Sequence, residues 1–484
     1  MTTRTVGVAI ATAAGLALLG AAPAPRAAER AAGTDRAVSQ VAYRAGVVLL
    51  GIDENLSGTG GTFRGEAASG GSGMIQRVDA TTQLQVVPPA PVLDAAARAI
   101  GTGAIEAVGP GLYSAAVIPG SEREAARRLA VVPGVAFADV DHRVTAFELP
   151  DDPRYSEQWG LREIGMPEAW DGARDASSVP VAILDTGVKV DHPDLAAALW
   201  SNPDEIAGNG LDDDGNGLVD DVHGWHYYQD FSTGRGVSRN NADLTDNHGH
   251  GTHTAGIVGA VGDNGVGVTG VAWRSRLMIL RVLDDEGVGW ESDIVRGLNY
   301  AVRNGALVAN LSLGTPDTGR ALEAAIGRAE DAGVVVVAAA GNDGGPISYP
   351  ARDPRVIGVG ATTTNARRAS FSAYGPGLDV MAPGTAILST WPAQPYHSAS
   401  GTSAASPHVA GVAALMRAQQ PELTPARLRD CLRLVARDLG EPGWDEKHGW
   451  GLLDAARSVR GCGEPLYLPL AAPGDGNGSA PLIP

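Results

Sequence analysis

The sequence predicts an α/β protein in which a parallel sheet carries helices on both faces, a three-layer arrangement, with a small α+β domain ahead of it. Three observations lead to this reading. Short apolar runs at 179–184, 277–282, 306–313 and 334–339 have the length and continuity of strands buried on both faces. Amphipathic stretches at 250–260, 292–304, 320–332 and 403–419 alternate with them as helices, and that alternation calls for a parallel sheet between two helical layers. The third observation is size: 484 residues exceed one ordinary domain, and the composition changes near residue 150.

At the start of the chain Arg4 precedes an apolar run at 6–20, and Ala21, Ala22, Pro23 and Ala24 then offer small residues to a signal peptidase. Residues 1–28 therefore read as a secretory signal. The run is too short to span a bilayer and no later segment is long and apolar enough to anchor the chain, so a secreted protein with no membrane span is expected. Residues 37–149 form the small domain, with a strand at 41–50, a helix with charges on one face at 122–131, and a turn and strand at 132–141. A Gly-, Ser- and Thr-rich stretch at 58–73 reads as a mobile loop within it. Residues 150–463 hold the strand–helix alternation, closed by a helix that Thr424 caps and Pro425 opens. Residues 464–484 lack periodicity and read as a flexible tail. The net charge of −18 argues against nucleic acid as a partner, since that needs basic patches, and suits a soluble secreted protein; a monomer is expected. Secretion permits Cys431 and Cys462 to bridge, which would close the last helix onto the chain end.

Chemistry concentrates in four glycine-marked blocks. In Gly401-Thr402-Ser403-Ala404-Ala405-Ser406-Pro407-His408, small residues crowd Ser403 just where a buried helix begins. A hydroxyl at a helix N-terminus sits where unpaired N–H groups favour developing negative charge. The block is not a G-x-S-x-G elbow, because Ala405 replaces the second glycine. A serine nucleophile needs a base and an orienting carboxylate. Asp185 ends the buried run Val181-Ala182-Ile183-Leu184, at the strand end where open α/β sheets place their sites. His250 opens a helix in Asn247-His248-Gly249-His250-Gly251-Thr252-His253. The fourth block, Ala340-Gly341-Asn342-Asp343-Gly344, follows the strand at 334–339.

In the order Asp, His, Ser these blocks resemble the subtilisin family of serine proteases, and the resemblance implies its fold and an endopeptidase acting through Asp185, His250 and Ser403. It also implies that Asn342 donates its amide to the oxyanion. Residues 37–149 resemble the family's propeptide, which implies a self-processing zymogen whose own propeptide inhibits it. Gly287, Val288 and Gly289, with Ser312, Leu313 and Gly314, match the family's edge strands, between which a protein or peptide substrate adds itself as a strand through main-chain hydrogen bonds. Main-chain recognition implies broad specificity. The resemblance places the first side-chain pocket between Leu313-Gly314, Ala338 to Ala340 and Ile347-Ser348-Tyr349; its walls are apolar or small, so an apolar P1 preference is expected, with Asp343 at the rim as the feature that would admit a basic side chain.

The spacing of Asp212, Asp214 and Asn216 around Gly215 and Gly217 follows the logic of a Ca²⁺ loop, although His223 stands where a glutamate would close it, so Asp220 or Asp221 is expected to complete the shell. A second structural Ca²⁺ site, implied by the resemblance, would use Asp152, Asp194 and Asn264. No catalytic metal is expected. Two other functions stay open: His248-x-His250-x-x-His253 has zinc-ligand spacing but lacks the H-E-x-x-H glutamate, and a Ca²⁺-stiffened binding protein would share the fold.

Overall fold

The computed structural model describes residues 43–52, 90–101, 104–109, 111–142, 149–227, 229–230, 237–238, 241–317 and 319–461. The expected signal, the 58–73 loop, the segment at 143–148, Cys462 and the tail lie outside them. The chain divides into two compact units, residues 1–144 and 145–484.

The first unit is an antiparallel sheet with helices. Strands β1 (Tyr43–Ile52), β2 (Ile105–Gly109), β3 (Leu112–Ala116) and β4 (Val135–His142) stand in the order β2-β3-β1-β4. Helices α1 (Ala90–Ile100) and α2 (Glu122–Ala130) pack on each other, and Ala96 and Leu129 join Val48, Leu50, Tyr113 and Ala115 in one core. Glu122 is buried at the start of α2, where its Oε1 accepts the N–H groups of Gly46 (2.6 Å) and Gly120 (2.9 Å). These bonds, the one from Gly46 foremost, hold its carboxyl below the usual value.

The second unit begins with two short helices, α3 (Trp159–Glu163) and α4 (Met166–Trp170), and then builds its sheet. The strands are β5 (Asp175–Asp185), β6 (Gly224–His226), the two-residue β7 (Gln229–Asp230) and β8 (Val237–Ser238), β9 (Arg274–Arg281), β10 (Val308–Leu311), β11 (Val335–Ala339), β12 (Ile357–Thr362) and β13 (Val380–Pro383). Seven of them make an all-parallel sheet in the order β13-β12-β11-β10-β5-β9-β6. Every residue of β10, β11, β12 and β13 is buried, which is why these strands read as continuous apolar runs rather than alternating ones. A hairpin, β14 (Ile387–Thr390) with β15 (Tyr396–Ala399), follows.

Two helical layers cover the sheet. Helices α5 (His250–Gly259) and α8 (Thr402–Gln419) pack on each other and on β5, and α6 (Glu291–Arg303) packs on α7 (Arg320–Asp331). Helices α9 (Pro425–Val435) and α10 (Ala455–Arg460) close the unit. The cap expected of Thr424 is present, its side chain accepting the N–H of Arg427. Helices α5 and α8 are buried almost all round, as helices wedged between a sheet and other elements must be, and their polar side chains, Thr252, His253, Ser406 and His408 among them, are buried with them. Cys431 is disulfide-bonded. Among the described residues no helix is long and apolar enough to cross a membrane.

Candidate active site

The parallel sheet brings the C-terminal ends of β11, β10, β5 and β9 side by side at one edge. Register sets Asp185 beside Arg281 and Leu184 beside Leu311, so the segments leaving these strands start level with one another. They are Asp185 itself, 287–289 after β9, 312–314 after β10, and 340–342 after β11.

Asp185 is buried, and His250 donates its Nδ1–H to Asp185 Oδ1 at 2.7 Å. Oδ1 also accepts the N–H of Thr186 (2.8 Å), and Thr254 Oγ1 donates to Oδ2 (3.2 Å). The carboxylate can only accept, so the imidazole carries its proton on Nδ1 and presents Nε2 as a base. Burial works to lower the His250 pKa, but the charge and hydrogen bond of Asp185, helped by the charge of Asp246, outweigh it and hold the ring above its ordinary value. Glycines permit this approach. A Cβ on Gly251 would lie 2.1 Å from the Gly187 carbonyl oxygen, and one on Gly187, whose φ is +112°, would lie 2.4 Å from that of Leu244.

Ser403 is the second residue of α8 and is half-buried, while its helical neighbours Thr402 and Ala404 are fully buried. Its N–H lies in the first turn, where helix N–H groups have no intrahelical partner. Asn342 is exposed and its Oδ1 accepts both the N–H (2.8 Å) and the Oγ1–H (3.0 Å) of Thr402. That fixes the amide with Nδ2 as its outward donor. A Cβ on Gly401 would sit 2.7 Å from Ser403 Oγ and 3.3 Å from Asn342 Nδ2, so the hydroxyl and the amide flank one point. Among the described residues no hydrogen bond joins His250 to Ser403; such contacts often tighten only when substrate binds.

Pro407 stands inside α8 and has no N–H to give the carbonyl of Ser403, four residues back. Ser312 supplies the missing donor: its Oγ donates to the Ser403 carbonyl at 2.9 Å and lies 3.0 Å from Ser406 Oγ. The side chain of Ser312 is thus buried against α8, and only its main chain is left for a substrate. Leu313 is partly buried against the core, and Gly314 leads into a bridge between Thr315 and Tyr349. Ala340 is buried and Ser348 half-buried, joined by the bond from Ser348 N to the Ala340 carbonyl (2.8 Å). Gly289 bridges Leu283, and Val288 is 58% exposed, leaving an apolar side chain on the rim.

The acidic loop is arranged differently from its sequence reading. Asp212 and Asp214 come together with Glu205, which lies outside the motif, and ligand oxygens of the three lie within 4.8 Å of one another. Glu205 Oε2 is buried without a hydrogen-bond partner, and all three donors are hard oxygens, as Ca²⁺ requires. Asp220 instead accepts the N–H groups of Asn209 and Gly210. Asp221 is buried and bonded to Asn202, Asn216 and Tyr300, and Asn216 turns its amide nitrogen, not its oxygen, towards Asp214 and Asp221. Of Asp152, Asp194 and Asn264, two are bonded: Asn264 Nδ2 donates to Asp194 Oδ1 at 3.0 Å, so its nitrogen and not its oxygen faces that carboxylate, while Asp152 Oδ1 is buried without a partner. Burial, with the charge of Asp194 adding to it, pushes the Asp152 carboxyl up to about 6 against an opposing bond from Asp263 N–H.

The three histidines with zinc-like spacing do not converge. His248 is exposed with its ring 6.1 Å from that of His250, whereas His253 is buried and donates Nε2–H to the Ile387 carbonyl (2.8 Å). Sequence reasoning missed Glu205, Thr402 and Asp246. Only Asp246 carried a signal, an acidic residue one turn ahead of the helix that His250 opens.

Residues 176–451 match the Subtilase family. The chain is 40% identical to Subtilisin Savinase of Lederbergia lenta over 306 residues, 63% of this chain and 99% of that protein. It is 38% identical over 329 residues to an alkaline protease of Alkalihalobacillus alcalophilus, 68% of this chain and 75% of that one. A solved structure of a protease from Pseudoalteromonas arctica PAMC 21717 is similar at 32% identity and a TM-score of 0.55, over 65% of this chain and 99% of that one.

Proposed function

The chain belongs to the subtilase family and is a serine endopeptidase, and from that premise we propose that Asp185, His250 and Ser403 are its catalytic triad, with Asn342 as oxyanion donor. The observation that carries this reading is the 2.7 Å bond from His250 Nδ1–H to Asp185 Oδ1, which leaves Nε2 free as a base. Ser403 Oγ bonds to the scissile carbonyl carbon while its proton passes to His250 Nε2, and the carbonyl π pair moves onto oxygen. Asn342 Nδ2–H and the Ser403 N–H hold that oxyanion. The imidazolium then gives its proton to the leaving amine, and water repeats the steps to release the acyl group.

The substrate lies extended along 287–289 and 312–314 and is read mainly through its backbone. Leu313, Ala340 and Ser348 line a small-walled, apolar P1 pocket, which supports broad specificity for apolar residues. Ca²⁺ would be held by Glu205, Asp212 and Asp214, and a second ion by Asp152, Asp194 and Asn264; it would neutralise carboxylates that otherwise repel one another. The enzyme is a secreted monomer whose signal is residues 1–28. Residues 37–149 are its inhibitory propeptide, removed by the enzyme's own activity, and the antiparallel sheet and two helices of the first unit support that reading. Made in a host without other proteases, the Ser403→Ala variant is expected to accumulate with residues up to about 149 attached. Normal trimming of that variant would remove self-processing from the account.

A further inference from the structure

Asp246 lies four residues before His250 and is 3% exposed. Its carboxylate accepts hydrogen bonds from Thr186 Oγ1 (2.8 Å), His248 N (3.1 Å), Gly249 N (2.8 Å), Thr252 N (2.8 Å) and Thr252 Oγ1 (2.6 Å). These donors come from both halves of the site. Thr186 follows Asp185 at the end of β5, and its Oγ1 also accepts the N–H of Gly251 (2.9 Å); the others form the turn into α5 and its first turn. Among the described residues no arginine or lysine forms an ion pair with Asp246. An ordinary helix cap needs one or two acceptor contacts, and a neutral asparagine serves as well as aspartate. A buried carboxylate outside any ion pair costs more than such a cap requires.

We propose that Asp246 is a positioning residue for the reaction: it ties the helix that begins at His250 to the strand end that carries Asp185, and it holds a second negative charge beside the imidazole. Asp185 takes the Nδ1–H directly, whereas Asp246 acts through the backbone around His250 and through space. When His250 receives the Ser403 proton, that charge stabilises the imidazolium as it forms. The direction of the His250 shift agrees, since Asp246 is among the groups that raise it. Other charged or titratable groups on the elements around His250 include Asp185 on β5, His248 in the same turn, His253 one turn along α5, Arg281 at the end of β9, Asp284, Asp285 and Glu286 after it, His397 and Tyr396 on β15 and His408 on α8; Asp175, Arg274, Arg276 and Arg417 lie towards the far ends of β5, β9 and α8. Of these, His248, Asp285 and Glu286 are surface groups screened by water and salt.

The inference rests on the reading of His250 as the general base, and the test separates the two. Peptide hydrolysis is measured from pH 4 to 10 for the parent enzyme, His250→Ala, Asp246→Asn and Thr186→Val. In Asp246→Asn the acid limb of kcat/KM is expected to move to lower pH, by up to about one unit, because the imidazolium loses a favourable charge. Its plateau kcat is expected to fall about tenfold to a hundredfold, with KM little changed, as the ring loses its fixed orientation. Thr186→Val breaks the 2.8 Å tie but keeps the charge, so kcat should fall while the limb stays in place; this variant carries the test if Asp246→Asn does not fold. Activity surviving in His250→Ala overturns the general-base reading itself. A parental acid limb that stays put in Asp246→Asn, or one that moves in Thr186→Val, overturns the role given to Asp246.

Discussion

Acid should destabilise the catalytic unit through two histidines that do no chemistry. His253 and His408 are each 2% exposed and lie on the two helices that carry His250 and Ser403. Each donates one ring N–H to a backbone carbonyl, His253 to Ile387 and His408 to Ala404 at 2.9 Å. Burial lowers both from 6.5 to about 4, so both rings are neutral in the folded protein through most of the acid range. An unfolded histidine takes up its proton near 6.5, so the unfolded chain binds more protons between the two values. The stability these rings contribute is therefore complete above pH 6.5 and is lost as pH falls through about 4. A shift of this size is worth about 3 kcal/mol per ring. Two such rings amount to a large part of the roughly 5–15 kcal/mol that keeps a domain folded. The assay is urea unfolding at pH 4, 5, 6 and 7 with saturating Ca²⁺, on Ser403→Ala to prevent autolysis and on the same protein with His408→Gln, which keeps a donor for Ala404 but cannot titrate. The difference between the two isolates His408 from every other group that titrates in this window. The first protein should lose about 3 kcal/mol more than the second between pH 7 and 4. Parallel curves would refute the argument and mean that His408 gains its proton without cost.

Two further outcomes are expected. Asn342→Ala should lower kcat by about 10²–10³-fold with KM nearly unchanged, the range known for removing the oxyanion asparagine of subtilisin, because Nδ2 meets the oxygen only once it is charged; steady-state kinetics on a peptide substrate decides it. Chelation should shorten the half-life of activity on heating, and Glu205→Gln should weaken the rescue by added Ca²⁺ because Glu205 completes the cluster with Asp212 and Asp214; equal half-lives with chelator and with Ca²⁺ would leave only an acidic surface loop.

The elements most legible in the sequence are those whose burial is complete. Helix α8 was expected at 403–419 and runs Thr402–Gln419, and the apolar run at 334–339 became β11 at Val335–Ala339. Strand β12 escaped notice because Gly358 and Gly360 interrupt its apolar pattern. A Cβ on Gly358 would lie 2.5 Å from the Gly377 carbonyl oxygen, so close backbone approach demands the residue that hides the strand. The geometry of the candidate site was legible where a local motif carries each residue: Asp185 and His250 are hydrogen-bonded, and Ser403 and Asn342 flank one point. It was not legible where the fold recruits from a distance. Glu205 reaches Asp212 and Asp214 from outside their loop, and Ser312 reaches Ser403 because Pro407 has emptied a position on its carbonyl. Spacing within a loop states which oxygens are near in sequence, but Asp220 and Asp221 show that hydrogen bonds decide which way they face.

The central claim is that one serine is made nucleophilic by the imidazole that Asp185 orients. It is tested most directly by treating the active protein with a serine-directed phosphonylating reagent and mapping the labelled residue in parallel with His250→Ala. The account expects a single label on Ser403, loss of activity in step with labelling, and almost no labelling in His250→Ala. A label on any other serine, or undiminished labelling without His250, would contradict it.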